Sequence, residues 1–183
     1  MLFRSNSAIG SIRDPFGLGG IGGSKASHSC SGDCYAPHLG VDQYGTVFYN
    51  DGLTINGKIF KVDNVLHNSP DTTIDLPVGS PVTVKLKAED NWASQIQHCE
   101  LGVGIPHAIF DKSLAAFRVE VDRDFDGSNV RSSVVGDATA LKDLTVSFVD
   151  TGDRTAECNI SFVPTKHLSN DMFSIEEIGR AHV

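Results

Sequence analysis

The chain has 183 residues, of which 40% are hydrophobic, and its 15 basic and 23 acidic side chains give a formal net charge of −8. This length suits one domain plus a tail. The acidic balance argues against binding to nucleic acid or to anionic membrane surfaces, because both carry negative charge. No apolar run approaches the length of a membrane span, so we expect any membrane attachment to come only from segments outside this chain.

The two ends of the chain read unlike natural coding sequence. Residues 1–5 resemble a translation of a common short-read sequencing adapter, and residues 178–183 resemble a translation of its reverse complement. We therefore expect natural residues from about 6 to 177, with the domain cut off at its C-terminal end. Residues 6–33 are rich in Gly and Ser and lack an apolar period, which is typical of a flexible leader.

Residues 34–177 alternate short apolar runs with turn residues. Asn56-Gly57 predicts a tight hairpin turn, and residues 114–117 favour a short helical turn. No segment has a long helical period, and many short strands separated by turns are typical of all-β folds. We therefore predict a single antiparallel β-sandwich, immunoglobulin-like or cupredoxin-like. Its predicted strands are 46–49, 53–62, 72–76, 82–87, 95–105, 116–121, 130–135, 144–149, 156–163 and 172–175.

Alternation with a period of two predicts which side chains of these strands face the core. Cys99 and Cys158 both fall on apolar faces, where an inter-strand disulfide or two buried thiols would each fit. An oxidising compartment favours the disulfide, with Cα atoms about 4.4–6.8 Å apart. The other predicted core residues are Val84, Leu86, Leu101, Val103, Val119, Val146, Phe148, Ile160 and Phe162.

The sharpest motif is the acidic segment 122–129, Asp-Arg-Asp-Phe-Asp-Gly-Ser-Asn. Carboxylates at alternate positions followed by Gly are the ligand pattern of calcium-binding loops. Ser133 stands where a helical calcium loop requires Glu, so we expect a non-helical site that takes a further carboxylate from Asp111 or Asp137. The predicted calcium ligands are Asp122, Asp124, Asp126 and the carbonyl of Ser128.

The same segment has a simpler interpretation as a hairpin turn. Phe117, Val119 and Val121 alternate with polar residues, as in a half-buried strand, and Gly127 follows as a turn residue. Carboxylates two residues apart on an extended strand stand about 6.6 Å apart, too far to share one ion unless the segment curls. The sequence leaves the calcium loop and the hairpin turn open.

A second candidate metal site lies where the leader meets the domain. Two thiols and two imidazoles within eleven residues suit zinc or copper. A local disulfide beside two solvated histidines explains the same residues. The ligands of this alternative site are His28, Cys30, Cys34 and His38.

A blue-copper site is a weaker candidate, because it needs two His, one Cys and a weak Met ligand in a tight loop. Cys158, His167 and Met172 occur in that order, with His98 or His38 as the remote ligand. Eight residues separate Cys158 from His167, which is longer than the usual ligand loop. A core cysteine with a loop histidine is the alternative, and His98 is expected to be a surface residue.

Several segments together resemble one group of proteins. They are residues 29–34 (Ser-Cys-Ser-Gly-Asp-Cys), 36–42 (Ala-Pro-His-Leu-Gly-Val-Asp), 97–104 (Gln-His-Cys-Glu-Leu-Gly-Val-Gly) and 157–161 (Glu-Cys-Asn-Ile-Ser). In this order they resemble uncharacterised secreted or cell-surface proteins of ammonia-oxidising archaea, over about residues 29–175. The resemblance implies a β-sandwich outside the membrane and brings no established activity. Cys99 stands where those proteins are expected to have an apolar residue.

The sequence therefore predicts a non-enzymatic extracellular or cell-surface module with a structural or adhesive role, for which calcium is a candidate stabilising ligand. No catalytic residues are predicted, because the chain has no Gly-x-Ser-x-Gly elbow and the mere presence of Ser, His and Asp does not define a triad. The expected partners are components of the cell envelope. The alternative is an extracytoplasmic protein that binds copper or zinc.

Overall fold

The computed structural model describes residues 37–42, 47, 49–60, 77–106, 112–168 and 172–176. These residues form two antiparallel sheets and contain no α-helix, which confirms the all-β prediction. Short 3-10 turns occur at Ala93–Gln95, Lys112–Leu114 and Ala138–Ala140, so the predicted helical turn begins before residue 114. The predicted strand 72–76 and most of strand 46–49 lie outside the described residues.

The first sheet has six strands: β1 (His38–Leu39), β2 (Leu53–Ile55), β3 (Lys58–Phe60), β4 (Val82–Glu89), β8 (Leu141–Asp150) and β9 (Thr155–Pro164). Its order is β3-β2-β4-β9-β8, and β1 also pairs with β4. The central strand β4 follows the predicted alternation, because Val82, Val84 and Leu86 are buried while Thr83 is exposed. The apolar face of this sheet is therefore the one that the sequence predicts.

The second sheet has four strands: β5 (His98–Ile105), β6 (Phe117–Asp122), β7 (Arg131–Gly136) and β10 (Met172–Glu176). Its order is β10-β5-β6-β7. The alternation is clearest in β6, where Phe117, Val119 and Val121 are buried and the residues between them are half-buried. β6 and β7 form an antiparallel hairpin. The acidic segment 122–129 begins at the last residue of β6 and continues into the connection between these two strands.

Apolar residues of both sheets form one core cluster. Phe117 of β6 meets Phe162 of β9 edge to face, with ring centroids 5.6 Å apart. Cys99 of β5 and Cys158 of β9 form a disulfide with Cα atoms 6.7 Å apart, which confirms the predicted pair. The disulfide is therefore a covalent link between the two sheets inside the core.

Eight of the nine other predicted core residues are buried, and Val146 differs. Val146 is only partly buried against the cluster, because β8 is the last strand of its sheet and has one neighbour, β9, among the described strands. The register of β8 against β9 shifts between Lys142 and Thr145, and Asp143 there has a positive φ of 55°. The shift is a β-bulge near the start of β8.

The predicted turn at Asn56-Gly57 connects β2 to β3. Both residues have positive φ, 50° and 79°, as a type I′ hairpin turn requires. The side-chain oxygen of Asn56 accepts a hydrogen bond of 2.8 Å from the N–H of Thr83, and the Asn56 N–H donates to the Thr83 carbonyl at 2.8 Å. The turn is therefore attached to the start of β4 as well as closing its own hairpin.

Asp137 caps the 3-10 turn after β7 and binds Lys166 beyond the end of β9. The Lys166 ammonium and the Thr139 hydroxyl lower the pKa of Asp137 from 3.8 to about 2. Because the folded pKa is below the ordinary value, this carboxylate stabilises the fold above pH ~4 and the contribution is lost as the pH falls toward 2.

We expect Asp137→Asn to reduce the difference between the free energies of unfolding at pH 5 and at pH 2.5, because asparagine does not titrate. Urea unfolding at the two pH values measures this difference. An unchanged difference would contradict the assignment.

Candidate functional site

Three connections meet at one end of the two sheets: residues 90–97 between β4 and β5, 123–130 between β6 and β7, and 151–154 between β8 and β9. The pairing of His98 with Asp122 places the first two at the same end of the second sheet. The pairing of Glu89 with Thr155 places the third beside the first. We call this surface the three-loop end.

A buried arginine holds the three-loop end together. The side chain of Arg123 is 1% exposed, and its guanidinium lies 4.3 Å from the ring centroid of Phe148. It donates hydrogen bonds to the carbonyls of Ile96, at 2.8 Å, and Ala93, at 2.5 Å. Its Nη1 forms an ion pair of 2.6 Å with Asp150 at the end of β8. One side chain of the β6–β7 connection therefore binds both the β4–β5 connection and β8 of the first sheet.

Backbone hydrogen bonds join the same three connections. The N–H of Arg123 donates to the carbonyl of Gln97 at 2.9 Å, and the N–H of Ala93 donates to the carbonyl of Asp153 at 2.9 Å. The carbonyl of Trp92 accepts from the N–H of Gln95 at 2.9 Å, which closes the local turn. Since each connection is bonded to a neighbour, the loop backbones have fixed positions relative to one another.

The acidic segment forms the β6–β7 connection, with Gly127 at a positive φ of 78°. The two oxygens of Asp124 accept from Asn129 at 2.7 Å and from Arg131 at 2.9 Å. The Asp124 N–H donates to the carbonyl of Ser128 at 3.0 Å. Asp124 and Ser128 therefore bind each other and their neighbours within a compact turn.

Asp126 lies at the exposed tip of the same connection. Its Oδ1 accepts from the Ser128 hydroxyl at 2.5 Å and from the Ser128 N–H at 2.9 Å. These donors, the hydroxyl first, lower the pKa of Asp126 below its ordinary value. The carboxylate is therefore ionised well below neutral pH, and its second oxygen is directed at no donor among the described residues.

Asp122 lies at the end of β6 and binds His98 on the neighbouring strand. The Nδ1 of His98 is 2.7 Å from an Asp122 oxygen. The sequence places His98 on the surface, but only 19% of its side chain is exposed. The neighbouring Glu100, also on the outer face, is buried, with Arg118 4.0 Å away. The outer face of the second sheet is therefore more enclosed than its polar residues suggest.

These contacts are those of a hairpin turn, the simpler of the two interpretations of the acidic segment. Within the described residues, no group of three or more His, Cys, Asp or Glu side chains is close enough to hold a metal ion. Asp137 lies at the opposite end of β7, about 20 Å along a six-residue strand, so it is not the further calcium ligand. Asp111 lies outside the described residues, and calcium binding stays a prediction.

The alternative metal site is described only at His38. This residue is buried in β1, and its Nδ1 is 3.1 Å from the Asp42 carbonyl. His28, Cys30 and Cys34 lie outside the described residues.

The blue-copper set is wrong, because the sulfur of Cys158 is bonded to Cys99 and is no thiolate ligand. His167 is exposed. The core cysteine of the alternative explanation is the one that the structure contains.

Two exposed aromatic residues at the three-loop end are not predicted by the strand periodicity or by the ligand motifs. Trp92 is 62% exposed and Phe125 is 61% exposed. Each interrupts a polar turn segment, Asp-Asn-Trp at 90–92 and Asp-Phe-Asp at 124–126. An aromatic residue flanked by turn-forming polar residues, out of phase with any strand, is the signal that identifies them.

No protein-family model, curated protein or solved structure matches this chain. Among the described residues, none of the helical segments has the length and apolar character needed to cross a membrane. Function is therefore argued from the geometry alone.

Proposed function

We propose that this chain is a non-enzymatic extracellular module with a structural or adhesive role at the cell surface. The observation that carries the proposal is the Cys99–Cys158 disulfide between the two sheets. Disulfides form and persist in oxidising compartments, and cytosolic thiols are kept reduced. The net charge of −8 supports a soluble module that does not bind nucleic acid.

We further propose that the two sheets pack as a β-sandwich, immunoglobulin-like or cupredoxin-like. Support comes from the ring contact between Phe117 and Phe162 and from the disulfide, since both join the second sheet to the first. The apolar residues of both sheets belong to one cluster. A rigid sandwich that presents loops at one end is a suitable scaffold for adhesion.

The adhesive role is tested by co-sedimentation with isolated cell envelopes of the source organism. We expect the protein to pellet with the envelopes and to remain in solution without them. A protein with the disulfide broken by reductant is expected to lose this binding in parallel with its fold, followed by far-UV circular dichroism. Failure of the oxidised, folded protein to pellet would overturn the adhesive role.

Calcium is the proposed ligand of the β6–β7 connection, where it would replace Asn129 and Arg131 as the partners of Asp124. With a Kd of about 10⁻⁴ M, millimolar calcium is expected to stabilise the fold by about 1.4 kcal/mol. Asp124→Asn is expected to remove this gain, and Asp143→Asn on β8 is expected to keep it. Identical melting curves in calcium and in chelator would contradict calcium binding.

Copper or zinc binding through His28, Cys30, Cys34 and His38 is the second candidate function. One observation favours it: the Nδ1 of His38 lies beside a backbone carbonyl, the arrangement that fixes a histidine with its Nε2 available to a metal. Metal analysis after exhaustive dialysis separates the two functions. Stoichiometric zinc or copper that His38→Ala abolishes would favour the second candidate.

A further inference from the structure

We propose that the three-loop end binds carbohydrate, with Trp92 and Phe125 as stacking platforms for sugar rings. This inference rests on the adhesive role proposed above and names the ligand class and the site. The C–H faces of a sugar ring are apolar while its hydroxyls point sideways. Such a ligand therefore requires an exposed aromatic face beside polar acceptors, and the three-loop end provides both.

The exposure of these two rings is unusual among the aromatic residues that the structure describes. Trp92 is the chain's one tryptophan, and 62% of it faces solvent. Four other phenylalanines, Phe60, Phe117, Phe148 and Phe162, are at most 7% exposed, whereas Phe125 is 61% exposed. Aromatic rings contribute most to stability when buried, so two rings held in solvent at one end indicate a binding role.

The two rings are brought to the same end by Arg123. Trp92 directly precedes Ala93, whose carbonyl accepts from the Arg123 guanidinium, and Phe125 follows Arg123 by two residues. The same arginine binds Asp150 of β8. Because these bonds already order the backbone on which both rings stand, binding a ligand costs little further loop entropy.

Polar groups flank Phe125 and match the hydroxyls of a sugar. Phe125 stands between the carboxylates of Asp124 and Asp126, followed by Ser128 and Asn129. Both Ser128 donors bind Oδ1 of Asp126, so its second oxygen is the acceptor that we expect to bind a ligand hydroxyl. Charged groups therefore interrupt the apolar surface around Phe125. The core of a protein–protein interface is usually continuous and apolar, so this surface suits a hydroxylated ligand better than a protein partner. The acidic surroundings repel anionic polysaccharides, so the expected ligands are neutral or amino sugars.

The first experiment measures binding of the oxidised chain to soluble mannan, soluble starch and a chitin oligosaccharide, with alginate as the anionic comparison. We expect one or more of the first three to bind and alginate not to bind. Trp92→Ala and Phe125→Ala are each expected to weaken binding about tenfold or more without changing the melting temperature. Ile59→Ala removes a side chain of matched exposure, 60%, on β3, and is expected to bind like the parent.

Absence of binding to all three sugars would overturn the inference, and so would equal weakening by Ile59→Ala. The envelope experiment separates this inference from the proposed adhesive role. Envelopes treated with periodate, which cleaves vicinal diols of sugars, are expected to lose the protein, while protease-treated envelopes keep it. The reverse result would identify a protein partner, so that the adhesive role stands and the carbohydrate inference fails. Sugar binding without envelope binding would overturn the adhesive role alone.

Discussion

Replacing Arg123 with methionine is expected to lower the free energy of unfolding by about 3–5 kcal/mol. Methionine fills much of the volume but donates no hydrogen bond, so the Ile96 carbonyl loses its donor and the Ala93 carbonyl keeps only the N–H of Ile96, at 3.1 Å. Each buried polar group without a partner costs about 1–3 kcal/mol. The loss of the cation–π contact with Phe148 adds to this.

The matched control is Arg131→Met. Arg131 also forms an ion pair with an aspartate, Asp124, but its side chain is 63% exposed, and exposed pairs contribute about 0–1 kcal/mol. Urea unfolding of both variants measures the difference. Equal destabilisation by the two substitutions would show that Arg123 acts only as a surface charge.

Removing the disulfide by the double substitution Cys99→Ala and Cys158→Ala is expected to cost about 4 kcal/mol. The bond closes a loop with a sequence separation of 59, and constraint of the unfolded chain grows with the logarithm of that length. Both side chains are buried, so alanine also loses packing around the sulfur atoms. Denaturant midpoints measure the loss.

The double variant also serves as a control for the remaining cysteines. Reductant is expected to destabilise the parent protein strongly and the double variant very little. A reductant effect of equal size in both proteins would assign the stabilisation to Cys30 and Cys34. Equal stability of the parent and the double variant would contradict a structural role for the bond between the sheets.

Period-two alternation was sufficient to predict most of the core. It identifies which faces of β4, β6 and β9 are buried, because a strand buried on one face repeats every two residues. Val146 fails because alternation records which way a side chain points and not whether a second strand or sheet covers it. The order in which strands pair decides which strand lies at the edge, and the sequence of β8 alone does not reveal that order.

The sequence does not single out Arg123, because its neighbours have the stronger signature of a metal site. Asp122 and Asp124 suggest an ion site, yet the alternation of β6 continues past its end and directs Arg123 inward. Its partners are backbone carbonyls 27 and 30 residues away. Backbone acceptors carry no residue-type signal, so this cluster becomes visible only once the fold brings the connections together.

The β-bulge of β8 makes it harder for a second molecule to pair with this edge of the sheet. An edge strand of ten residues is a template on which a second molecule can add a strand, the first step toward aggregation. The bulge breaks that template near its start, and the exposed charges of Lys142 and Asp143 stand at the break. A neighbouring chain meets a regular ladder only beyond residue 144, which favours molecules that remain separate when crowded side by side.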